Sequence, residues 1–202
     1  KQLTFKEKAY TFCQRYKHSL LLLYLFLYMP WFSYLEKTVT KHFHVIHMQI
    51  DDKIPFIEYF IVPYLLWFAY VAVAVLYFLL KNKHEFYRLC AFLFVGMTLF
   101  LVISTVYPNG HYLRPAVFER DNIFVDMVKG LYLADTPTNL FPSIHVYNSI
   151  GVNIAIWRCQ DFKKKKLIRY GSAILMVSIV LSTMFLKQHS VFDVITGIVL
   201  SI

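Results

Sequence analysis

Charged residues and glycines are scarce in this sequence of 202 residues. Only 16% of the residues are charged, whereas 58% are hydrophobic and 18% aromatic, and the mean hydropathy is +0.50. So little charge excludes an ordinary soluble domain and indicates an integral membrane protein. The six glycines form no glycine-rich nucleotide loop.

Long apolar stretches, by contrast, are abundant. A helix needs roughly 20 apolar residues to cross a bilayer, and six stretches are candidates: residues 20–35, 55–80, 86–107, 142–157, 167–186 and 189 onward. The sequence therefore predicts an all-α membrane bundle of six transmembrane helices, built as a single domain over residues 1–202. The first stretch is too long and too aromatic for a cleavable signal peptide. The sixth ends with the sequence, and we expect further residues after it.

Lysine and arginine are distributed unevenly over the predicted loops. The N-terminus and the loops on its side hold 14 of them, and the alternate loops hold 7. This imbalance predicts a multi-pass plasma-membrane protein with a cytoplasmic N-terminus, and it attributes the net charge of +9 to topology and not to nucleic acid. Cys13, Cys90 and Cys159 all fall on the cytoplasmic side, where we expect reduced thiols.

Two features of the outer loops have competing interpretations. Apolar residues share one helical face after the third stretch, which is typical of a helix in the membrane interface that covers the site or lines a lipid entrance; a packed connector is the alternative. The face consists of Ile123, Phe124, Met127, Val128 and Leu131. His42, His44 and His47 are numerous enough for a metal site, but no suitably spaced partner completes one, so we interpret them as interfacial.

The segment "PSIH" opens the fourth stretch. Pro142 suits the first turn of a helix, and the next amides, on Ser143, Ile144 and His145, then lack an intrahelical acceptor. Such a helix start favours an anion, phosphate above all. Ser143 adds a hydroxyl, and His145 adds a group that gives or takes a proton near neutral pH. Alternatively, Ser143 only caps the helix and His145 only packs against a neighbour.

A second histidine lies between the fifth and sixth stretches. His189 and Asp193 are four residues apart, so on a helix the carboxylate can reach one imidazole nitrogen. That contact would fix the tautomer and leave the other nitrogen free as a nucleophile or base. Two histidines on separate helices indicate a division of labour, in which one attacks phosphorus and the other protonates the leaving oxygen.

Cations complete the predicted site. Arg114 precedes a proline and offers a planar fork for two phosphate oxygens. Lys187, two residues before His189, offers a second positive charge. Phosphoryl transfer spreads negative charge over three oxygens, so clustered cations and amides suit that chemistry.

The motifs "RP", "PSIH" and "HSVFD" follow one another in this order along the outer segments. In order and placement they resemble the type 2 phosphatidic acid phosphatase superfamily, membrane enzymes that hydrolyse or transfer lipid phosphates. The second motif of that family usually reads Pro-Ser-Gly-His, so Ile144 replaces the glycine. Ser182, His189 and Asp193 match the third motif. Phosphate binding is then expected at Arg114, Ser143, Ile144, Ser182 and Lys187.

The resemblance also implies roles. His189 would attack phosphorus to give a phosphohistidine, Asp193 would orient it, and His145 would protonate the departing alcohol, without metal or cofactor. Two family cations are missing, because Tyr107 stands at the lysine position of the first motif and Thr183 at the arginine position of the third. Lys187 could replace one of them, and His111 could contribute if protonated.

The expected function is that of a lipid-phosphate phosphatase acting on a phosphomonoester or diphosphate headgroup at the extracytoplasmic face. Two alternatives stay open: a phosphotransferase that moves a phospho-headgroup between alcohols, as in inositol phosphorylceramide synthesis, and a lipid-binding relative without activity. The expected partners are a lipid phosphate and the bilayer. The sequence leaves the lipid and the oligomeric state undetermined.

Overall fold

The structure, a computed structural model, describes residues 14–202; Cys13 lies outside this range. Within it the chain forms seven α-helices: α1 (Leu25–Thr38), α2 (Ile61–Lys81), α3 (Lys83–Val106), α4 (Ile123–Ala134), α5 (Ile144–Arg158), α6 (Lys166–Phe185) and α7 (Val191–Leu200). A 3-10 helix, Lys17–Tyr24, leads into α1, and the two-residue strands β1 (His44–Val45) and β2 (Asn109–Gly110) pair in parallel. The predicted all-α class is confirmed.

Four described helical segments are long and apolar enough to cross a membrane: Gln14–Thr38, Glu58–Lys81, Lys83–Val106 and Lys166–Phe185. The other two predicted spans correspond to α5, which has 15 residues, and α7, which has 10. The structure thus supports four crossings by length, and the total of six stays a prediction.

The second predicted span begins later than expected. Residues 55–57 are not helical, and a 3-10 turn, Glu58–Phe60, precedes α2. The buried Glu58 carboxylate accepts hydrogen bonds from Arg120 at 3.0 Å and from the Asn122 side chain at 3.0 Å. These polar contacts hold the segment in the loop region, which hydropathy alone does not reveal.

Helix α4 forms in the segment for which the sequence predicted an amphipathic helix. Val125 and Val128 are its buried residues, whereas Ile123 is 70% exposed and Met127 37% exposed. Val128 packs with Ile61, Tyr64 and Leu186, so α4 lies against the start of α2 and the end of α6. Three residues of the predicted apolar face, Phe124, Val128 and Leu131, thus pack on the bundle. The position of α4 in the membrane interface stays a prediction.

Helix α5 lies at the centre of the bundle, in contact with α2, α3, α6 and α7. Two glycines permit these close approaches. The ring of Tyr147 occupies the space where a side chain at Gly96 of α3 would lie, and a side chain at Gly197 of α7 would meet the backbone oxygen of Ser143. The start of α5 is therefore packed directly against α7.

Polar contacts gather at the end of the bundle where α5 begins. The Glu36 carboxylate accepts hydrogen bonds from the Thr136 hydroxyl at 2.6 Å and from the Asn139 amide at 3.0 Å. The Asn109 side-chain oxygen accepts from the backbone amides of Leu140 and Phe141 at 2.8 and 2.9 Å. These bonds fix the loop that leads into α5, and hence the position of the candidate site.

Candidate functional site

Ser143 is the N-cap of α5. Its hydroxyl oxygen accepts a hydrogen bond from the Val146 amide at 3.4 Å, and its own backbone N–H donates to the Asp193 carbonyl at 3.3 Å. Capping by Ser143 is thus observed, and the Ser143 amide, predicted to be free, is already bonded. The amides of Ile144 and His145 remain in the first turn, where backbone N–H groups have no intrahelical acceptor.

The His145 ring lies between aromatic side chains of α2. Its centroid is 4.7 Å from that of Tyr64, in a stacked arrangement, and 4.3 Å from that of Trp67. The packing alternative for His145 therefore describes part of its surroundings. Nothing in the sequence distinguished Tyr64 and Trp67 from the other aromatic residues of this apolar span.

His189 lies in the loop before α7, and not on the helix as the four-residue spacing predicted. Ser190 caps α7: its hydroxyl oxygen accepts from the Phe192 amide at 3.2 Å, while the Asp193 carboxylate accepts from the Ser190 amide at 3.0 Å. Asp193 Oδ2 is 3.5 Å from His189 Nδ1. The two side chains are close together, as predicted. Their proximity results from a capping box, in which the Asp193 carboxylate folds back over the start of α7.

The two histidines face each other. Their ring centroids are 5.7 Å apart and the rings are inclined at 61°, in an edge-to-face arrangement. His189 is 6% exposed. Burial lowers the pKa of His189 to about 3, and the nearby Arg114 charge acts in the same direction. The imidazole is therefore neutral at physiological pH, as a nucleophile must be.

Arg114 is held by three acceptors. One terminal nitrogen donates to the carbonyls of Tyr132 and Asp135 at 3.2 and 2.8 Å, and the other donates to Gln188 Oε1 at 2.6 Å. Its guanidinium carbon also lies 4.5 Å from the centre of the Tyr132 ring. Burial lowers the pKa of Arg114, but a guanidinium stays charged. Arg114 thus provides a fixed positive charge beside His189.

The structure places Lys187 and Ser182 differently from His189 and Arg114. The Lys187 ammonium donates to the Asp51 carbonyl at 2.6 Å, and Ser182 donates within its own helix to the Ile179 carbonyl at 2.6 Å. Among the described residues, neither makes a hydrogen bond or ion pair to a site histidine or to Arg114. Their predicted contact with phosphate has no support in these bonds.

At the two positions that lack a cation of the resembled family, the side chains contact other groups. Tyr107 is 44% exposed and stacks on His44 with centroids 4.1 Å apart. Thr183 is buried, donates its hydroxyl to the Val180 carbonyl, and accepts at its own carbonyl from the amides of Gln188 and His189. Thr183 therefore shapes the loop through its backbone.

Gln188 and Asp51 are site residues that the sequence interpretation missed. Gln188 lies between Arg114 and His111. Its side-chain oxygen accepts a hydrogen bond from Arg114, and its backbone carbonyl accepts one from His111 at 2.9 Å. The buried Asp51 carboxylate accepts from the Ser190 hydroxyl at 2.6 Å and from the Val191 amide at 2.8 Å, and so anchors the start of α7. In the sequence, only the position of Gln188 next to His189 pointed to a place at the site.

His111 is part of this support and not a second cation. Its Nδ1 accepts from the Leu113 amide at 3.1 Å, which assigns the proton to Nε2, the donor to Gln188. Burial lowers the pKa of His111 to about 4, against an ordinary value of 6.5. The expectation that His111 contributes charge is not supported, because the buried ring is neutral at neutral pH.

This pKa predicts a pH-dependent stability. The unfolded chain binds a proton at His111 below about pH 6.5, whereas the folded chain binds it only near pH 4, so stability is lost as the pH falls through that window. The shift corresponds to a loss on the order of 3 kcal/mol. Thermal unfolding in detergent between pH 4 and 7 should show a smaller loss for His111→Gln, which keeps a donor and an acceptor, than for the wild type. The loss caused by the lowered pKa of His189 is common to both proteins. The exposed His84→Gln is the control. An equal pH dependence in His111→Gln would contradict the assignment.

The outer-loop histidines lie apart from this site. His44 belongs to β1 and stacks on Tyr107, and His47 bonds the Asp52 carboxylate at 2.9 Å. Within residues 14–202, no three or more His, Cys, Asp or Glu side chains are grouped so as to hold a metal ion. The metal-free chemistry implied by the resemblance stays a prediction.

Comparison with protein families adds an independent observation. The family described as the PAP2 superfamily matches residues 114–202, which begin at Arg114 and include both histidines and Asp193. Comparisons with curated proteins and with solved structures gave no match. Members of this superfamily are generally phosphatases, and their chemistry acts on lipid phosphates. The part of the chain that carries the motif residues at one end of the apolar helical bundle, residues 114–202, is therefore similar to the PAP2 superfamily.

Proposed function

We propose that this protein is a lipid-phosphate phosphatase that hydrolyses a phosphomonoester or diphosphate headgroup through a phosphohistidine at His189. The observation that carries the proposal is the facing pair of His145 and His189, with ring centroids 5.7 Å apart, next to Asp193 and Arg114. A tetrahedral phosphate that lies beside both imidazoles can be attacked by one of them and receive a proton from the other.

The first half of the reaction breaks the lipid ester. His189 Nδ1 lies 3.5 Å from the Asp193 carboxylate, so Nε2 is the nitrogen that attacks phosphorus. A nitrogen–phosphorus bond forms, the bond from phosphorus to the lipid oxygen breaks, and His145 donates a proton to the departing oxygen. Asp193 stabilises the positive charge that develops on His189.

The second half regenerates the enzyme. Water attacks the phosphohistidine and its proton passes to His145. An oxygen–phosphorus bond forms, the nitrogen–phosphorus bond breaks with its electron pair returning to Nε2 of His189, and inorganic phosphate is released. His189 returns to its neutral form, which its lowered pKa favours. Arg114 compensates the phosphate charge throughout, as preorganised cations do in phosphoryl transfer.

The distribution of charge favours a second candidate function. Lys187 bonds a backbone carbonyl, and Tyr107 and Thr183 replace family cations, so the positive charge beside His189 comes from Arg114. A buried phosphomonoester dianion needs more compensation than a phosphodiester monoanion. In a phosphotransferase, His189 would attack such a diester, the bond from phosphorus to the donor lipid's oxygen would break and release that alcohol, and a second alcohol would then take the phospho-headgroup from His189.

The proposal also includes the topology. The excess of basic residues at the N-terminus and in the "RCQDFKKKKLIR" loop supports a cytoplasmic N-terminus. The four long helical segments, together with α5 and α7, then give six crossings of the plasma membrane. In that arrangement the histidine pair faces the extracytoplasmic side.

Phosphate release from purified protein tests the proposal. The panel contains phosphatidate, lysophosphatidate, phosphatidylglycerophosphate and a prenyl diphosphate, each in mixed micelles with and without EDTA. We expect phosphate from at least one substrate and no effect of EDTA. Headgroup exchange between labelled lipids without phosphate release would establish the transferase instead. Neither reaction on any substrate would leave the lipid-binding alternative, and dependence on a divalent metal would contradict the scheme.

A further inference from the structure

The contact between Arg114 and Gln188 fixes the orientation of the Gln188 amide. The Arg114 terminal nitrogen donates to Gln188 Oε1 at 2.6 Å. A guanidinium carries donors and no acceptor, so the oxygen of the amide must face it and the NH2 group must point away. The amide of Gln188 therefore presents two N–H donors on the side away from Arg114.

Two donors of this pair lack a partner. Gln188 Nε2 and Arg114 Nε are both buried, and neither has a hydrogen-bond partner among residues 14–202. Buried N–H groups are nearly always paired in folded proteins. Two unpaired donors on one bonded pair, next in the chain to His189, indicate a place for an acceptor that comes from outside the protein.

Gln188 is held too firmly for these donors to find other partners by movement. Its backbone N–H donates to the Thr183 carbonyl at 2.9 Å, its carbonyl accepts from His111 at 2.9 Å, and the residue is 1% exposed. The donors are therefore preorganised, which is the property that makes hydrogen bonds effective in a transition state.

We propose that Gln188 Nε2 and Arg114 Nε donate to oxygens of the phosphate at His189, so that a neutral amide does the work of a missing motif cation. This inference rests on the proposed function in one respect, since it places the phosphate beside His189. Lys187, Tyr107 and Thr183 make other contacts. The amide stabilises negative charge on the transferred group without adding a positive charge to the buried site.

The test measures binding and turnover in the full chain, purified in detergent. Orthovanadate, which resembles the pentacoordinate phosphorus of the transition state, is titrated calorimetrically. Phosphate release is measured in parallel. Gln188→Glu keeps an oxygen for Arg114 but replaces the donor with a carboxylate. We expect vanadate affinity and kcat to fall on the order of 10²-fold or more, with an unchanged midpoint of thermal unfolding.

Two further variants make the result specific. Gln188→Met removes the donor without adding charge and should weaken vanadate binding at least about tenfold; it replaces Gln188→Glu if that variant is unstable. Gln49→Glu makes the same change of charge at an exposed position of the loop before α2 and should bind as the wild type does. Similar vanadate affinity in wild type and Gln188→Met, or no vanadate binding by the wild type, would overturn the inference. A Gln188-dependent vanadate site in a protein that turns over no lipid would instead overturn the proposed function alone.

Discussion

Replacing His189 with glutamine should abolish turnover, with a loss on the order of 10⁴-fold or more, because removal of a covalent nucleophile leaves only binding and charge stabilisation. Glutamine keeps a polar side chain of similar length in a pocket where the histidine is 6% exposed. The fold should therefore survive while the attacking nitrogen is lost. Phosphate release at saturating lipid measures the effect.

A labelling experiment distinguishes loss of the nucleophile from general damage. Wild-type protein quenched during turnover of a ³²P-labelled lipid should carry label that is stable in alkali and lost in acid, as a phosphorus–nitrogen bond is. His189→Gln should carry none. His42→Gln, at an exposed histidine in the loop after α1, is the matched control and should label and turn over normally. Label on His189→Gln, or activity within tenfold of wild type, would remove His189 from the role.

The class of fold followed from the sequence because it depends on composition and on the length of apolar runs. The third and fifth predicted spans, residues 86–107 and 167–186, agree closely with α3 and α6. The second was placed too early, since hydropathy does not register that Glu58 is buried against Arg120. Such a contact joins residues 62 positions apart in the chain, beyond the reach of any local pattern.

For two of the predicted site residues, the local contacts follow from the sequence, while their roles stay predictions. Ser143 is a helix cap because of its place in the sequence, and Asp193 approaches His189 because both flank the same helix start. Lys187 was different. Its proximity to His189 in the chain indicated a phosphate contact, but its backbone is in the left-handed region, at φ 53°, and its ammonium bonds the Asp51 carbonyl.

The supporting residues could not be found from the sequence. Gln188 matters because Arg114, 74 positions away, and His111, 77 positions away, both bond it. Asp51 matters because its carboxylate accepts hydrogen bonds from the Ser190 hydroxyl and the Val191 amide. Neither residue type suggests phosphate chemistry, and only the tertiary structure brings these groups together.

Replacing His145 with glutamine should separate the two halves of the mechanism through the leaving group. A lipid alkoxide is a poor leaving group and needs a proton as it departs, so we expect turnover of lipid phosphates to fall on the order of 10²- to 10⁴-fold. An activated aryl phosphate, such as p-nitrophenyl phosphate, departs without that proton. Its rate of phosphohistidine formation, measured as the burst of p-nitrophenol, should change less than about tenfold.

The position of His145 makes this difference specific to proton transfer. Its ring is packed between Tyr64 and Trp67 and faces His189, so glutamine at position 145 can leave the nucleophile and Arg114 in place. Tyr64→Phe, which keeps the stacked ring but changes no group assigned to proton transfer, is the control and should affect both substrates equally. If His145→Gln slowed the aryl burst as much as lipid turnover, the histidine would be supporting the geometry of the site and not protonating the departing oxygen. A selective loss on the lipid would mean that the two facing rings divide the reaction, one forming the bond to phosphorus and the other releasing the alcohol.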